Sequence, residues 1–257
     1  MKFNGRNIII GQNVQIGQHV RIGDDTVIYD NVILHDGVTI CNNCIIGEPL
    51  NAYYSDVDYK QPTTVIGKNS LIRSHSILYA GSEFGDNLST GHRVTIREFT
   101  KIGNNTNIGT NCDIQGMCEL GNNNKLQSNV IVGQMSKTGD YVFLYPYVIL
   151  TNDPTPPSEE WFGVEIGDYS IITTSSVLLP GVKIGAHCLV SANSVVNGKF
   201  DDNSFISGSP AKRICDLSKA PIFNSVTGKR HYPWPNHFER GMPWQEIGYK
   251  QWLEQNI

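Results

Sequence analysis

Two short polar segments contain the residues whose types are best suited to chemistry. The first includes His92, and the second begins with Asn152 and Asp153, just before Pro154. A histidine can exchange a proton near neutral pH. Asn152 offers an amide carbonyl as a hydrogen-bond acceptor, and the carboxylate of Asp153 can accept a hydrogen bond or a proton. An Asx turn before Pro154 is the alternative role for this pair.

Charged groups lie in the same part of the chain as His92. Arg73, Arg93 and Arg97 carry planar guanidinium groups that suit phosphate oxygens, and Glu98 follows Arg97 directly. Some of these arginines could instead bridge two subunits, for example through an ion pair between Arg97 and Glu98 of a neighbouring copy. Both uses stay open at this point.

The element that must position these side chains is a six-residue repeat of aliphatic residues. A period of six fits neither an α-helix nor a simple alternating strand, and it indicates a hexapeptide solenoid. Within three long runs, only Thr90 and Thr138 interrupt the apolar series. The series consists of Ile10, Ile16, Ile22, Ile28, Leu34, Ile40, Ile46, Ile66, Ile72, Leu78, Phe84, Ile96, Ile102, Ile108, Ile114, Leu120, Leu126, Val132, Leu144, Leu150, Ile166, Ile172, Leu178, Ile184, Val190 and Val196.

The repeat predicts an all-β fold in which three sides close a triangular coil of about eighteen residues. The aliphatic residue points inward, the residue four positions later is small, and Gly, Asn and Asp at other positions suit the corners. We expect roughly nine such coils or slightly more. On this geometry His75 lies about one coil before His92.

Two segments leave the repeat and return in phase. We therefore expect a β-helix domain over residues 1–214 with external loops at residues 48–64 and 151–164. Insertions between regular coils are common positions for functional sites, although such loops also pack against neighbouring subunits. Residues 215–257 form a tail rich in aromatic residues, which we expect to cap the open end of the solenoid or to cover a ligand at a subunit boundary.

Three tyrosines in the first loop and one glutamine add candidate contacts. Tyr53, Tyr54 and Tyr59 could stack on a ligand ring or serve only as packing. Gln134 lies where a regular coil turns outward, just before the interruption at Thr138.

Composition limits the classes of partner. The net charge of −4 and the isoelectric point near 6.0 argue against a protein held to nucleic acid or to a membrane surface by bulk charge. The sequence shows no apolar stretch long enough to span a bilayer and no signal peptide, so we predict a cytoplasmic protein. Four of the six cysteines occupy the small inward position of the repeat, which favours packing over a metal or redox role.

Several segments resemble hexapeptide-repeat acyltransferases. Leu178 to Gly185 reads LPGVKIG after its first leucine, and Gly208 to Lys212 reads GSPAK, similar to the closing motif of these enzymes. The segments GHRVTIRE, from Gly91, and TNDPTPP, from Thr151, resemble those of nucleotide-sugar N-acetyltransferases. The likeness is greatest to enzymes that acetylate the 3-amino group of a dTDP-3-amino-3,6-dideoxyhexose. The resemblance implies a left-handed parallel β-helix and a homotrimer with sites between adjacent subunits.

What the resemblance implies for chemistry is transfer of acetyl from acetyl-CoA to a sugar amine, with no metal. Asn152, Asp153 and Gln134 are then candidates to orient the amine, and His92 is the candidate base. An alternative is that the amine binds neutral and the leaving thiolate takes the proton. Arg73, His75, Arg93, Arg97 and Glu98 would contact the nucleotide sugar, as would Tyr53, Tyr54 and Tyr59.

The same resemblance places CoA along the last coils. Backbone amides near Thr173, Thr174, Ser191 and Ala192 would pair with the pantetheine. Lys212 and Arg213 would meet the phosphates, unless they only form a solvated cap.

Three other functions remain as alternatives. The loop at 48–64, followed by Val65-Ile66-Gly67, also resembles UDP-acylglucosamine O-acyltransferases of lipid A synthesis. A β-helix carbonic anhydrase would need three zinc-binding histidines, and His75 and His92 have no third histidine nearby in the sequence. A structural or interaction solenoid without catalysis is the non-enzyme alternative.

Overall fold

In the computed structural model, which describes residues 5–222, 226, 228 and 243–256, short parallel strands form three sheets along the sides of a prism. Each strand pairs with its equivalent one coil away, as Ile77 does with Thr95 and Leu78 with Ile96. Sheets A and B have ten strands each and sheet C has eleven, so the described chain makes ten coils. The predicted all-β parallel β-helix is confirmed, and its winding is consistent with the left-handed coil that the resemblance implies.

Each sheet runs along one side of the prism, and its strands follow one another in chain order. Sheet A contains Ile9–Ile10, Val27–Ile28, Ile45–Glu48, Ile77–Tyr79, Thr95–Ile96, Asp113–Ile114, Ile131–Val132, Ile149–Leu150, Val177–Leu178 and Val195–Val196. Sheet B contains Gln15–Ile16, Val32–Leu34, Thr64–Ile66, Glu83–Phe84, Lys101–Ile102, Glu119–Leu120, Lys137–Thr138, Glu165–Ile166, Lys183–Ile184 and Lys199–Phe200. Sheet C contains Arg21–Ile22, Thr39–Ile40, Leu71–Ile72, Ser89–Thr90, Asn107–Ile108, Lys125–Leu126, Phe143–Leu144, Ile171–Ile172, Leu189–Val190, Ser204–Gly208 and Ala211–Asp216.

The repeated aliphatic residues fill the prism interior as a single core. From Ile28 to Ile206 they are almost completely buried, whereas Ile10 and Ile16 in the first coil are about half exposed. The two threonines that interrupt the apolar series form hydrogen bonds through their hydroxyl groups. Oγ1 of Thr90 accepts from the backbone N–H of Arg73, and Oγ1 of Thr138 accepts from Nδ2 of Asn124.

The corners of the prism use left-handed backbone conformations. Asn105, with φ of 57°, shows the expected residue type. Bulky residues hold the same conformation in two columns, where equivalent residues of successive coils lie above one another. One column contains Phe99, Met117 and Met135, and the other contains Tyr141, Tyr169 and His187.

Both insertions leave the prism at the corner between sheets A and B. The first follows Ile45–Glu48 and contains a 3₁₀-helix at Asn51–Tyr54, and the second follows Ile149–Leu150. Both external loops therefore lie along the same edge of the prism.

The described part of the tail covers the carboxyl-terminal end and one side of the prism. Ala211–Asp216 pairs antiparallel with Ser204–Gly208, and the 3₁₀-helix Leu217–Lys219 follows. Leu217 and Ala220 pack on the outer face of sheet C. The α-helix Tyr249–Asn256 and Trp244 pack on Tyr141 and Tyr169 at the corner between sheets B and C. Trp234, which belongs to the predicted aromatic tail, lies outside the described residues.

Candidate active site

Two edges of sheet A carry the predicted site residues. The corner from sheet A to sheet B is called the A/B corner, and the corner from sheet C to sheet A is called the C/A corner. Residues that are one coil apart lie above each other, about 4.8 Å along the axis. Each corner therefore presents columns of side chains that run parallel to the prism axis.

Gln134 and Asn152 occupy the same column of the A/B corner in adjacent coils. The register that pairs Val132 with Leu150 continues to these two residues. Both are partly buried, and within the described chain neither side-chain amide has a hydrogen-bond partner. They form a pair of uncommitted amides at the root of the second loop.

Asp153 is used by the second loop itself. Its carboxylate accepts hydrogen bonds from the hydroxyl of Ser158 at 2.6 Å and from the backbone N–H groups of Thr155 and Ser158 at 3.2 Å. The bonds from Ser158 hold the pKa of Asp153 below its ordinary value. This geometry is the Asx-type turn considered above, and it does not favour Asp153 as a proton acceptor.

Arg97 and Glu98 pair with each other within one chain. Nε and Nη2 of Arg97 donate to the two carboxylate oxygens of Glu98 at 3.1 and 2.8 Å. The guanidinium also lies 5.8 Å from the ring centroid of Tyr79, one coil away. The side chain of Glu98 is only 14% exposed, whereas that of Arg97 is 47% exposed.

The first loop closes a cavity of about 360 Å³ against the A/B corner. Tyr53 and Tyr59 line it, but Tyr54 turns away and donates from its hydroxyl to Glu48. The remaining lining residues are Tyr29, Asp30, Asp56, Val57 and Gln61.

Tyr29 and Asp30 in this cavity were missed from sequence. They occupy the A/B corner one coil before the first insertion, so counting eighteen residues back from the insertion would have found them. Burial raises the pKa of Tyr29, which keeps its hydroxyl neutral.

The histidines and the other two arginines lie on the C/A corner. His75 and Arg93 share a column with left-handed backbone, and His92 precedes Arg93. His75, His92, Arg73 and Arg93 are all exposed. No group of three or more His, Cys, Asp or Glu residues within the described ranges is placed to hold a metal ion.

The predicted CoA contacts gather on the same C/A corner near the end of the prism. The backbone N–H groups of Thr173 and Ser191 are already bonded to Val190 and Ile206 of the next coils. Those of Thr174 and Ala192 have no partner among the described residues, and they are one coil apart. Of the four backbone N–H groups predicted to pair with the pantetheine, those of Thr174 and Ala192 are therefore the two that remain available as donors.

Lys212 and Arg213 lie beside this region in the last hairpin. Lys212 is paired across the hairpin with Ser207, whose hydroxyl accepts a 2.7 Å bond from Ser191. Arg213 donates to Ser204 and forms an ion pair with Asp216. Lys212 is therefore the freer cation of the two.

One chain does not bring the predicted catalytic residues together. His92 lies on the C/A corner, whereas Gln134, Asn152 and Asp153 lie on the A/B corner across sheet A. His92 and Asn152 are also separated by about three coils, or roughly 16 Å along the axis. A histidine base acting directly on an amine held by Asn152 does not follow from this placement.

The outer faces of sheets A and B differ in chemistry. Sheet B presents charged residues, with ion pairs of 2.8 Å between Glu119 and Lys137 and 2.7 Å between Glu165 and Lys183. Sheet A presents mainly partly exposed aliphatic residues. These are Val27, Ile45, Ile77, Ile131, Ile149, Val177 and Val195.

Comparison with known proteins supports the repeat and the fold. Residues 19–49 match the family described as bacterial transferase hexapeptide (six repeats), and residues 100–134 match the hexapeptide repeat of succinyl-transferase. The Bacillus subtilis protein YvoF is 41% identical to this chain over 51 residues, and its name as an acetyltransferase is provisional. That match covers 20% of this chain and 30% of YvoF, so the chain spans about a third of the curated relative it matches.

One solved structure extends the fold comparison along most of the chain. A UDP-N-acetylglucosamine acyltransferase from Arabidopsis superposes with a TM-score of 0.57 at 17% identity, covering 81% of this chain and 72% of that one. The corresponding O-acyltransferase of Moraxella catarrhalis gives a TM-score of 0.49 at 20% identity, covering 82% and 66%. No helix among the described residues is long and apolar enough to cross a membrane. Residues 19–49 and 100–134 thus match transferase hexapeptide repeats, and the described chain winds into a parallel β-helix.

Proposed function

We propose that the protein transfers acetyl from acetyl-CoA to the amino group of a nucleotide-linked sugar. The observation that carries this proposal is the pair of uncommitted amides of Gln134 and Asn152 on the A/B corner. Their carbonyl oxygens can accept hydrogen bonds from a neutral amine and so direct its lone pair. The free N–H groups of Thr174 and Ala192 and the cation of Lys212 support a CoA site on the C/A corner.

The reaction needs no strong base in this arrangement. The amine nitrogen attacks the thioester carbonyl carbon and forms a tetrahedral oxyanion, which an N–H donor stabilises. Collapse forms the amide bond and expels the CoA thiolate. The ammonium proton passes to that thiolate or to water. The role of the protein is to orient the amine and to position the two substrates.

A homotrimer would bring the two corners together. The aliphatic outer face of sheet A is suited to burial against other copies. If three prisms present sheet A toward a common three-fold axis, the A/B corner of each copy lies beside the C/A corner of the next. The CoA and sugar sites would then face each other across a subunit boundary, as the resemblance implies.

Within such a trimer His92 still does not reach the amide pair. Copies related by an axis parallel to the prisms keep the same axial level, so His92 would lie opposite Arg97 and Glu98 of the next copy. This supports a binding role for His92 and leaves the amine to Gln134 and Asn152.

The test is free-thiol release from acetyl-CoA against a panel of dTDP- and UDP-linked amino sugars. Rapid turnover with a dTDP-3-amino-3,6-dideoxyhexose is the expected result. Binding of acetyl-CoA without turnover of any sugar on the panel would indicate that the acceptor is a different molecule. Absence of acetyl-CoA binding would favour a non-catalytic solenoid.

A longer acyl donor is the second candidate, and one observation favours it. Phe99, Met117 and Met135 form an exposed apolar column on the A/B corner, with exposures of 46%, 43% and 41%. Such a column could hold a hydrocarbon chain, as an O-acyltransferase of the lipid A type requires. A series of acyl-CoA donors decides between the two, because a preference for chains longer than acetyl would support the second.

A further inference from the structure

The A/B corner carries an arginine that is held in a fixed orientation by its neighbours. The carboxylate of Glu98 binds Arg97 through two hydrogen bonds, and the ring of Tyr79 lies against the guanidinium. A planar guanidinium has five N–H donors, and this pairing uses two of them. The remaining donors belong to a side chain that is 47% exposed, so they are open to a ligand.

The carboxylate of Glu98, which orients Arg97, lies beside a glycine of the next coil. Glu98 shares a column with Gly116, where a side chain is missing, and its carboxyl carbon lies 3.5 Å from the point that a Cβ of Gly116 would occupy. Gly116 has a φ of 94°, which a residue with a side chain rarely adopts. The left-handed backbone thus favours glycine at position 116, and the Glu98 carboxylate lies beside a position without a side chain.

The carboxylates that line the neighbouring cavity disfavour an anion inside it. Asp30 and Asp56 both line the cavity of the first loop, together with the rings of Tyr29, Tyr53 and Tyr59. Two carboxylates repel phosphate, whereas aromatic rings and polar groups suit a neutral heterocycle. On the regular coils of the described A/B corner, Arg97 is the one cation.

The order along this corner matches the order of groups in a nucleotide sugar. The cavity lies at the second and third coils, Arg97 at the fifth, and Gln134 and Asn152 at the seventh and eighth. Each step is about 4.8 Å, so Arg97 lies roughly 14 Å from the corner residues of the cavity and about 10 to 14 Å from the amides. A heterocyclic base, a diphosphate and a sugar would meet these three groups in sequence.

We infer that Arg97, oriented by Glu98, binds the diphosphate of a nucleoside diphosphate that lies along the A/B corner with its base in the cavity of the first loop. This assignment rests on the proposed function for the identity of the sugar end. Within one chain it selects Arg97 over Arg73 and Arg93, which lie on the C/A corner, across sheet A from the cavity.

The experiment compares diphosphates with nucleosides by calorimetric titration of the full chain. The probes are dTDP, UDP, thymidine and uridine, and the variants are Arg97→Gln, Glu98→Gln and Lys101→Gln. Lys101 is the matched control, because it is an exposed cation of the same coil on the outer face of sheet B. Its contact with Glu83, at 3.8 Å, is long.

We expect wild type and Lys101→Gln to bind each diphosphate more tightly than its nucleoside. In Arg97→Gln the affinity for the diphosphate should fall about tenfold or more, while nucleoside binding is unchanged. Glu98→Gln should show a smaller loss confined to the diphosphate, because only the orientation of Arg97 is weakened.

An unchanged diphosphate preference in Arg97→Gln would overturn the assignment, as would an equal loss in Lys101→Gln or equal wild-type affinity for nucleoside and diphosphate. Acetyl-CoA binding and turnover are measured on the same samples. Intact diphosphate binding without turnover would count against the proposed function alone. Turnover with an Arg97-independent diphosphate preference would count against this assignment alone.

Discussion

Nδ2 of Asn124 donates a 2.6 Å hydrogen bond to Oγ1 of Thr138 inside the prism. Both side chains are buried, and Oδ1 of Asn124 also accepts from the N–H of Val142 at 2.7 Å. The pair replaces an apolar contact between two coils with a polar one whose groups are satisfied.

We predict that Thr138→Val destabilises the protein by about 1–3 kcal/mol, because it removes the acceptor of a buried amide. Urea denaturation measures the change. The double variant with Asn124→Val should recover no more than part of the loss, since it removes the buried amide but also the acceptor of the Val142 N–H. Equal stability of wild type and Thr138→Val would show that the bond contributes little.

A second prediction concerns two glycines with left-handed backbone. A Cβ on Gly81, where φ is 79°, would approach the ring of Phe99 within 2.6 Å, whereas one on Gly198, where φ is 92°, would meet nothing within 4 Å. Gly198→Ala should cost about 1–2 kcal/mol of backbone strain alone, and Gly81→Ala should cost a further 1–3 kcal/mol or so for overpacking. Thermal denaturation of both variants isolates the steric part, and equal losses would contradict it.

A third prediction concerns the reactivity of the thiols. Burial raises the pKa of Cys44, Cys112 and Cys118 to about 11. Their thiolates are therefore scarce at pH 8, and iodoacetamide should modify the partly exposed Cys41 and Cys215 first. Mass spectrometry of the alkylated protein measures this order.

The same thiols should make stability depend on pH. Because their folded pKa lies above the unfolded value of about 8.5, their contribution is complete below that pH and is lost as the pH rises toward 11. A denaturation midpoint that stays constant from pH 8 to 10.5 would contradict the shift.

A fourth prediction concerns the carboxyl-terminal helix. Trp244 is 2% exposed and contacts Tyr141, Tyr249 and Trp252 with ring centroids 4.9 to 5.4 Å apart. Trp244→Ala should release residues 243–256 to protease while the prism remains resistant, since this segment packs on the outside of a corner. Trp161→Ala, in the second loop, is the control and should leave the helix protected.

A fifth prediction distinguishes the catalytic contribution of Gln134 and Asn152 from that of Asp153. Asn152→Ala and Gln134→Ala should each lower kcat/KM by about tenfold or more without weakening acetyl-CoA binding, because each removes an acceptor for the amine. Asp153→Asn should act more weakly, through the hydrogen bonds of the second loop. Asn107→Ala, on the outer face of sheet C, is the control, and an equal loss there would contradict a specific role for the amides.

The six-residue repeat predicted the inward residues of the coils, because one side chain per coil side must fit a narrow core. Thr90 and Thr138 show the limit of that pattern. Their hydroxyls pair with Arg73 and Asn124, which are 17 and 14 residues away, so no local rule reveals the partner.

The candidate site was less accessible from sequence than the fold. The repeat specifies which coil holds a residue, but His92 and Asn152 lie on different corners, and their relation depends on neighbouring copies. The ion pair between Arg97 and Glu98 illustrates the same limit. An ion pair between Arg97 and Glu98 of two different copies was one of two uses that the sequence left open, and the structure shows the two residues of one chain bonded to each other.

The charged outer face of sheet B has a consequence for how the coils find one another during folding. Glu83, Lys101, Glu119, Lys137, Glu165 and Lys183 alternate in sign from one coil to the next. Each exposed pair contributes little, about 0–1 kcal/mol. Looping out the coil of Lys101 would place Glu83 beside Glu119, and looping out the coil of Glu119 would place Lys101 beside Lys137. Each such skip therefore exchanges attractive contacts for one repulsive contact. The alternating charges thus disfavour a skipped coil during folding. Without them, the nearly identical repeats of the solenoid would pair almost equally well with a coil that is not their neighbour in sequence.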